Sequence, residues 1–207
     1  MKTINLGLIS YQDAYSKQLH IVEDVKNGAE ETLIICSHPP VVTLGKKADP
    51  EEIRFWKGEV VQIERGGRST YHGPNQVIIY PVVDLARHGQ NLSGYLEVLE
   101  NSMIVVLNSL GLKATGNPDR GNPDLTGIWI NGLKIASIGI AVKRWVTYHG
   151  LALNLDHDPH AFQGINPCGK DASIMTSLEA LLGKKVDRST FEKTLSEELV
   201  MNLEKLK

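Results

Sequence analysis

One cysteine of this chain stands in a sequence context typical of an exposed nucleophile. Cys168 lies between Pro167 and Gly169 in a segment without regular periodicity. Proline stiffens the approach and glycine allows a sharp turn, so the thiol could be presented at a cleft. A thiol attacks as the thiolate, and because its ordinary pKa is about 8.5 it needs a neighbouring cation or base. The alternative is a small buried hydrophobic residue, which we favour for Cys36 at the end of an apolar run.

A lysine in an apolar strand is the second candidate. Lys134 follows the Asn131-Gly132 pair, a strong β-hairpin signal, and shares a strand face with Ala136 and Ile138 by alternation. The local pattern leaves two interpretations open. The side chain either reaches solvent near the turn, which the pattern alone favours, or is partly desolvated. A desolvated lysine has a lowered pKa and could act as a base or as a cation beside a thiol.

The segment 65–76 is rich in glycine and polar residues and is expected to be a loop between two strands. Its glycines permit close approach to a ligand, and His72 could orient groups or move a proton. The alternative is a surface loop with a structural histidine. The glycine spacing does not match a phosphate-binding loop. A Thr-Tyr-His-Gly tetrapeptide occurs both at 70–73 and at 147–150, without similarity around it.

The remaining pattern predicts elements that must position these residues. We expect helices at 11–26, at 92–110 and from Ser189 onward, and strands at 3–9, 32–36, 41–44, 60–64, 76–83, 125–130, 133–142 and 145–155. Most strands are joined by short turns rather than helical crossovers. The predicted fold class is therefore α+β, with a mixed, mainly antiparallel sheet and packed helices.

Size and composition restrict the classes of protein. The 207 residues suit one domain over 1–207, and a net charge of −2 does not suggest nucleic-acid binding. No apolar run approaches the roughly 20 residues that span a bilayer, and no signal peptide is visible. With two cysteines, we expect free thiols in the cytoplasm. The short patterns Cys36-x-His38 and His157-x-x-His160 lack four ligands, so no metal site is predicted.

Three ordered blocks resemble the lipoyl(octanoyl) transferase family. They are RGGRSTYHGPNQ at 65–76, LKIASIGIAVKRWVTYHGLALN at 133–154 and INPCGK at 165–170. Arg68 and Asn75 depart from the family, which commonly has Gln and Gly there. The resemblance covers nearly the whole chain and implies the fold of biotin and lipoate protein ligase catalytic domains.

The resemblance implies a role for each block. Cys168 would form an acyl thioester, and Lys134 would lower its pKa and shuttle protons. The acyl and thioester pocket would be lined by three runs: Arg65, Gly66, Gly67, Arg68, Ser69, Thr70, Tyr71 and His72; Ser137, Ile138 and Gly139; and Gly150, Leu151 and Ala152.

The resemblance further implies the partners. The donor would be octanoyl-acyl carrier protein, and the acceptors would be lipoyl domains of 2-oxoacid dehydrogenases and the glycine cleavage H protein. No cofactor would be needed, and the enzyme would be a monomer. Alternatives are an ATP-dependent lipoate-protein ligase, a Cys-His amidohydrolase using Cys168 with His72 or His149, and a protein that only binds lipoyl or fatty-acyl groups.

Overall fold

The fold is built on a six-stranded sheet. A computed structural model describes residues 1–167 and 170–206. The strand order is β1-β2-β6-β9-β8-β7, with β1 parallel to β2 and the other neighbours antiparallel. These strands are β1 (Lys2–Leu8), β2 (Thr32–Ser37), β6 (Gln76–Val82), β7 (Gly127–Ile130), β8 (Leu133–Lys143) and β9 (Val146–Asn154). The predicted α+β class with a mixed, mainly antiparallel sheet is confirmed.

A smaller three-stranded sheet lies beside it, in the order β4-β3-β5. Its strands are β3 (Val41–Leu44), β4 (Glu59–Gln62) and β5 (Ser69–His72). The expectation of a loop over all of 65–76 is wrong, because Ser69–His72 pairs antiparallel with Val41–Leu44 and is buried. The polar character of this strand concealed it, since its serine, threonine and histidine are buried without being apolar.

Both faces of the large sheet are covered. Along β2, Leu33 and Ile35 join the core beneath two helices, whereas Ile34 and Cys36 join the core beneath a third. The pair on the first face is α2 (Leu92–Ser109) and α4 (Arg188–Leu203), and the helix on the second is α1 (Tyr11–Lys26). Burial on both sides explains why this strand is a continuous apolar run. Cys36 is buried, as predicted.

The helix ends follow local capping rules. Side-chain oxygens of Ser10, Asn91 and Asp187 accept hydrogen bonds from the first turns of α1, α2 and α4. The last helix therefore starts one residue before the predicted Ser189. One short helix, α3 (Leu178–Leu182), was not predicted. Among the described helices, none has the length and apolar character to cross a bilayer.

The β7–β8 hairpin forms at the predicted turn. Asn131 and Gly132 have φ of 51° and 80°, the left-handed conformations that a two-residue hairpin turn requires. Strand β8 then runs antiparallel to β9 from Ala136 to Lys143. The turn thus fixes Lys134 at the start of the strand that forms the floor of the candidate site.

Candidate active site

Small residues on β8 and β9 form a trough in the large sheet. Ser137 lies opposite Ala152, and Gly139 lies opposite Gly150. Directly opposed residues share a face of the sheet, so these four positions leave a low strip. A Cβ on Gly139 would lie 2.9 Å from Arg65 Cδ, so the arginine side chain crosses the trough here. The glycine-rich segment and β5 close over it to form a cavity of about 180 Å³.

The cavity brings together most of the residues predicted to line the pocket. On its wall lie Arg65, Gly66, Gly67, Arg68, Ser69, Thr70, His72, Lys134, Ser137, Ile138, Gly139, Gly150, Leu151 and Ala152. Tyr71 lies outside it, because alternation along β5 points this ring to the opposite side, against Trp56 and Phe162. Burial there raises the pKa of Tyr71 to about 12.

Hydrogen bonds hold the glycine-rich segment in place. The Arg65 guanidinium donates to the Thr43 carbonyl and hydroxyl oxygens, both at 2.9 Å. Arg68 forms an ion pair with the buried Glu52 carboxylate, which also accepts a bond from the Ser69 amide at 2.9 Å. Gly67 has φ of 84°, which glycine adopts without strain. The segment is therefore a fixed wall of the cavity.

Lys134 is buried in this wall, with 1% of its surface exposed. The sequence pattern alone favoured a side chain reaching solvent, and that interpretation is wrong. Lys134 Nζ lies 5.6 Å from the centroid of the Trp129 ring, a cation–π distance. A Cβ on Gly127 would lie 2.7 Å from Lys134 Cε, so the glycine leaves room for the lysine. The backbone carbonyl of Lys134 accepts a bond from Thr176, downstream of the predicted cysteine segment.

The segment that holds the predicted nucleophile is described up to Pro167 and again from Lys170. Cys168 and Gly169 lie outside the described residues. The chain leading to them is held on one side by the Asn166 amide, which donates to the Glu52 carbonyl at 2.7 Å. On the other side, Lys170 is exposed. Cys36 has a pKa raised by burial, and its side chain does not line the cavity.

The cavity residues that were not predicted as pocket residues include Tyr11, Tyr80 and His149. Tyr11 and Tyr80 carry no local signal, because they converge only when α1 packs on the sheet. His149 did have a signal, since the repeated Thr-Tyr-His-Gly places one histidine of each copy, His72 and His149, on the cavity wall.

The cavity histidines are neutral near pH 7. Burial, with the Arg65 cation adding to it, lowers the pKa of His149 to about 3. Burial also lowers the pKa of His72 well below its usual range, with His38 and Arg65 adding to the effect. Neutral imidazoles offer one donor and one acceptor each, so these two side chains can bind polar groups without adding a charge of their own to that of Arg65.

Comparison with solved structures defines the class of protein. A bi-partite lipoate protein ligase from Thermoplasma acidophilum, solved in a study that includes its E2 lipoyl domain, has a TM-score of 0.72 at 15% identity, covering 98% of this chain and 83% of that one. Biotin protein ligase from Aquifex aeolicus has a TM-score of 0.59 at 11% identity, covering 99% and 70%. The fold is that of the catalytic domains of lipoate and biotin protein ligases, as the resemblance implied.

Sequence comparison defines the family. The model of the lipoyl protein ligase A/B catalytic domain matches residues 10–200. An octanoyltransferase of Bdellovibrio bacteriovorus is 42% identical over 207 residues, 94% of each chain. One of Geotalea uraniireducens is 44% identical over 187 residues, 90% of this chain and 85% of its own. The chain belongs to the lipoyl protein ligase A/B catalytic domain family and is an acyltransferase.

Proposed function

We propose that this enzyme moves an octanoyl group from octanoyl-acyl carrier protein, through a thioester on Cys168, to a lysine of a lipoyl domain. The observation that carries the proposal is Lys134, a buried amine on the wall of a mostly apolar cavity of about 180 Å³. An inert cavity would gain nothing from a buried lysine, since burying an ammonium is costly. The octanoyltransferase relatives support this assignment.

The chemistry has two bond exchanges. In the first, the Cys168 thiolate attacks the donor thioester, so that a new sulfur–carbon bond forms and the carrier sulfur leaves and takes a proton. In the second, an acceptor lysine amine attacks the acyl-enzyme, so that a carbon–nitrogen bond forms and the Cys168 sulfur leaves. As a cation, Lys134 stabilises the thiolate, and in the first exchange it gives its proton to the leaving carrier sulfur. In the second exchange the now neutral Lys134 takes the proton that the acceptor amine releases, which restores the starting cation.

The energetics of these exchanges require no cofactor. Exchange between two thioesters is nearly balanced, and conversion of a thioester to an amide runs downhill. The acceptors would be lipoyl domains of 2-oxoacid dehydrogenases and the glycine cleavage H protein. The enzyme would work in the cytoplasm as a monomer with one catalytic domain over 1–207.

Donor choice tests the proposal against an ATP-dependent ligase. Purified enzyme is mixed with a lipoyl domain and either octanoyl-acyl carrier protein or free octanoate, each with and without ATP and magnesium. We expect octanoylated lipoyl domain from the carrier protein under both conditions, and little from free octanoate, measured by intact mass. If octanoylated lipoyl domain formed only with ATP, the enzyme would be a ligase and not a transferase. If octanoate were released and no octanoylated lipoyl domain formed, an amidohydrolase would be favoured.

A further inference from the structure

One end of the cavity is polar, although the cavity lining as a whole is mostly apolar. It is formed by Tyr11, His72, Tyr80 and His149, which we call the polar recess. These side chains come from α1, β5, β6 and β9, and each residue is at most 7% exposed. His149 pairs with Ile140, six residues along β8 from Lys134, or roughly 20 Å at about 3.3 Å per residue. The recess therefore lies at the far end of the cavity from the proposed chemistry.

The hydrogen bonds around Tyr80 fix the direction of its hydroxyl. His38 Nδ1 lies 2.8 Å from the Ile9 carbonyl oxygen, so this nitrogen carries the proton and donates. Because burial lowers its pKa, His38 is neutral and its Nε2 must be an acceptor. Nε2 accepts a hydrogen bond from the Tyr80 hydroxyl at 2.9 Å, in preference to the weaker Cys36 thiol donor at 3.8 Å. The Tyr80 oxygen is left with lone pairs that can accept a bond inside the recess.

Each histidine of the recess has one ring nitrogen without a hydrogen-bond partner among the described residues. His149 Nδ1 lies 3.3 Å from the Tyr11 hydroxyl, and among the described residues His149 Nε2 has no hydrogen-bond partner. His72 Nε2 lies 3.3 Å from the Thr43 hydroxyl, and within the same residues its buried Nδ1 has none either. Buried polar atoms in native proteins are nearly always bonded, so these nitrogens call for a polar group in the cavity.

The backbone shows that His149 is held in this orientation at a cost. Its φ is 57°, an uncommon value for a residue other than glycine. Consecutive residues of a regular strand point to opposite faces. Here, however, the Tyr148 and His149 rings lie 4.8 Å apart, and His149 also contacts Tyr11 and Tyr15 of α1. The left-handed turn thus directs the imidazole to the face that α1 covers. Strain of this kind concentrates at functional positions.

We propose that the polar recess binds a neutral terminal hydroxyl on a medium-chain acyl group, so that this enzyme also takes ω-hydroxyacyl chains. A hydroxyl both donates and accepts, which matches a recess with acceptor oxygens and neutral imidazoles. A terminal methyl at the same place would displace water and leave buried nitrogens without partners. This inference rests on the proposed acyl transfer. The terminal hydroxyl takes no part in the bond exchange.

The test compares chains that differ in one atom. Unreactive amide analogues of ω-hydroxyacyl thioesters, with 6 to 16 carbons, are each paired with the methyl-terminated analogue of equal heavy-atom count, and binding is measured by calorimetry. At the length that reaches the recess, we expect the hydroxyl chain to bind about tenfold more tightly, the effect of one buried polar group left unpaired. Tighter binding of the methyl chain at every length would overturn the inference.

Two variants locate the effect. Tyr11→Phe keeps the ring but removes a hydroxyl of the recess, and should reduce the preference at least threefold. Tyr15→Phe is the matched control, because the Tyr15 ring also stacks on His149 but its hydroxyl donates to Glu64 and does not line the cavity. An equal loss in both variants would refute a specific recess. Tighter binding of an ω-carboxyl chain would also refute it, since an anion would then be the preferred ligand.

A separate acylation experiment tests the proposed function independently of what the recess binds. Wild-type enzyme is incubated with a small octanoyl thioester and examined by intact mass. Absence of acylation would count against acyl transfer, whereas the calorimetric comparison would still decide what the recess binds.

Discussion

Lys134 unites two properties that rarely occur together, a titratable amine and nearly complete burial. Its surroundings explain how the chain tolerates it. Gly127 provides space for the side chain, and the Trp129 ring lies within cation–π distance of the amine. A buried amine of this kind can supply a positive charge to a thiolate or exchange a proton with a substrate.

Substitution of Lys134 separates these two roles. In Lys134→Ala, alkylation of Cys168 by iodoacetamide should require higher pH, because the cation proposed to stabilise the thiolate is gone. Lys134→Arg keeps the charge but cannot release a proton near neutral pH, so it should retain more of the alkylation profile than of the transfer rate. Peptide mass analysis follows Cys168 separately from Cys36. If Lys134→Ala left the alkylation profile unchanged, the lysine would have no part in forming the thiolate.

At the scale of elements, the paired strands β8 and β9 set the width of the cavity. Their small residues leave a strip over which Arg65 lies, and the arginine is itself held by bonds to Thr43. An added methyl group on the strip therefore meets a side chain that cannot easily move aside.

Gly139→Ala should consequently narrow the cavity without disrupting the pairing of β8. Its new Cβ would lie 2.9 Å from Arg65 Cδ, and overpacking of this kind typically costs about 1–3 kcal/mol. We expect the rate of acylation by an octanoyl thioester to fall about tenfold or more. Ile135→Val, in the core beneath α2 and α4 and off the cavity wall, is the control and should lower stability by about 1 kcal/mol with acylation unchanged. Equal acylation in Gly139→Ala and wild type would exclude the trough as the acyl site.

The sequence predicted those elements whose signals are local. The Asn131-Gly132 turn, the apolar run of β2 and the periodicity of α2 each specify their own structure. Strand β5 was missed because its buried side chains are mostly polar and bond to residues of other elements. The His72 ring, for example, lies within hydrogen-bond distance of the Thr43 hydroxyl. Tyr71 was assigned to the pocket with its neighbours, whereas strand alternation turns it away. The burial of Lys134 depends on β7 and on residues near Thr176, which no pattern around the lysine encodes.

For the whole molecule, the buried histidines make stability depend on pH. His38, His72 and His149 all have pKa values lowered mainly by burial. The unfolded chain therefore binds protons that the folded protein excludes once pH falls below about 6.5. The stability is fully present above this pH and is lost as pH falls towards the folded pKa values.

His149→Asn should weaken this dependence. For a group whose pKa moves from 6.5 to about 3 on folding, stability falls by about 2 kcal/mol between pH 7 and pH 5. Asparagine tolerates the left-handed φ at this position and does not titrate. The free energy of unfolding, measured with urea at both pH values, should fall between pH 7 and pH 5 by about 2 kcal/mol less than in wild type. His20→Asn, on the exposed face of α1, should leave the wild-type dependence intact. An unchanged loss in His149→Asn would show that another group controls acid sensitivity.

The central claim, a covalent acyl-enzyme on Cys168, is tested most directly by intact mass spectrometry after incubation with octanoyl-acyl carrier protein and no acceptor. We predict a gain of one octanoyl mass that hydroxylamine removes, as expected for a thioester. Cys36→Ala should gain the same mass, because Cys36 is buried and its pKa is raised. Cys168→Ala should gain none and should not transfer the acyl group. Normal transfer to a lipoyl domain by Cys168→Ala would contradict the covalent mechanism.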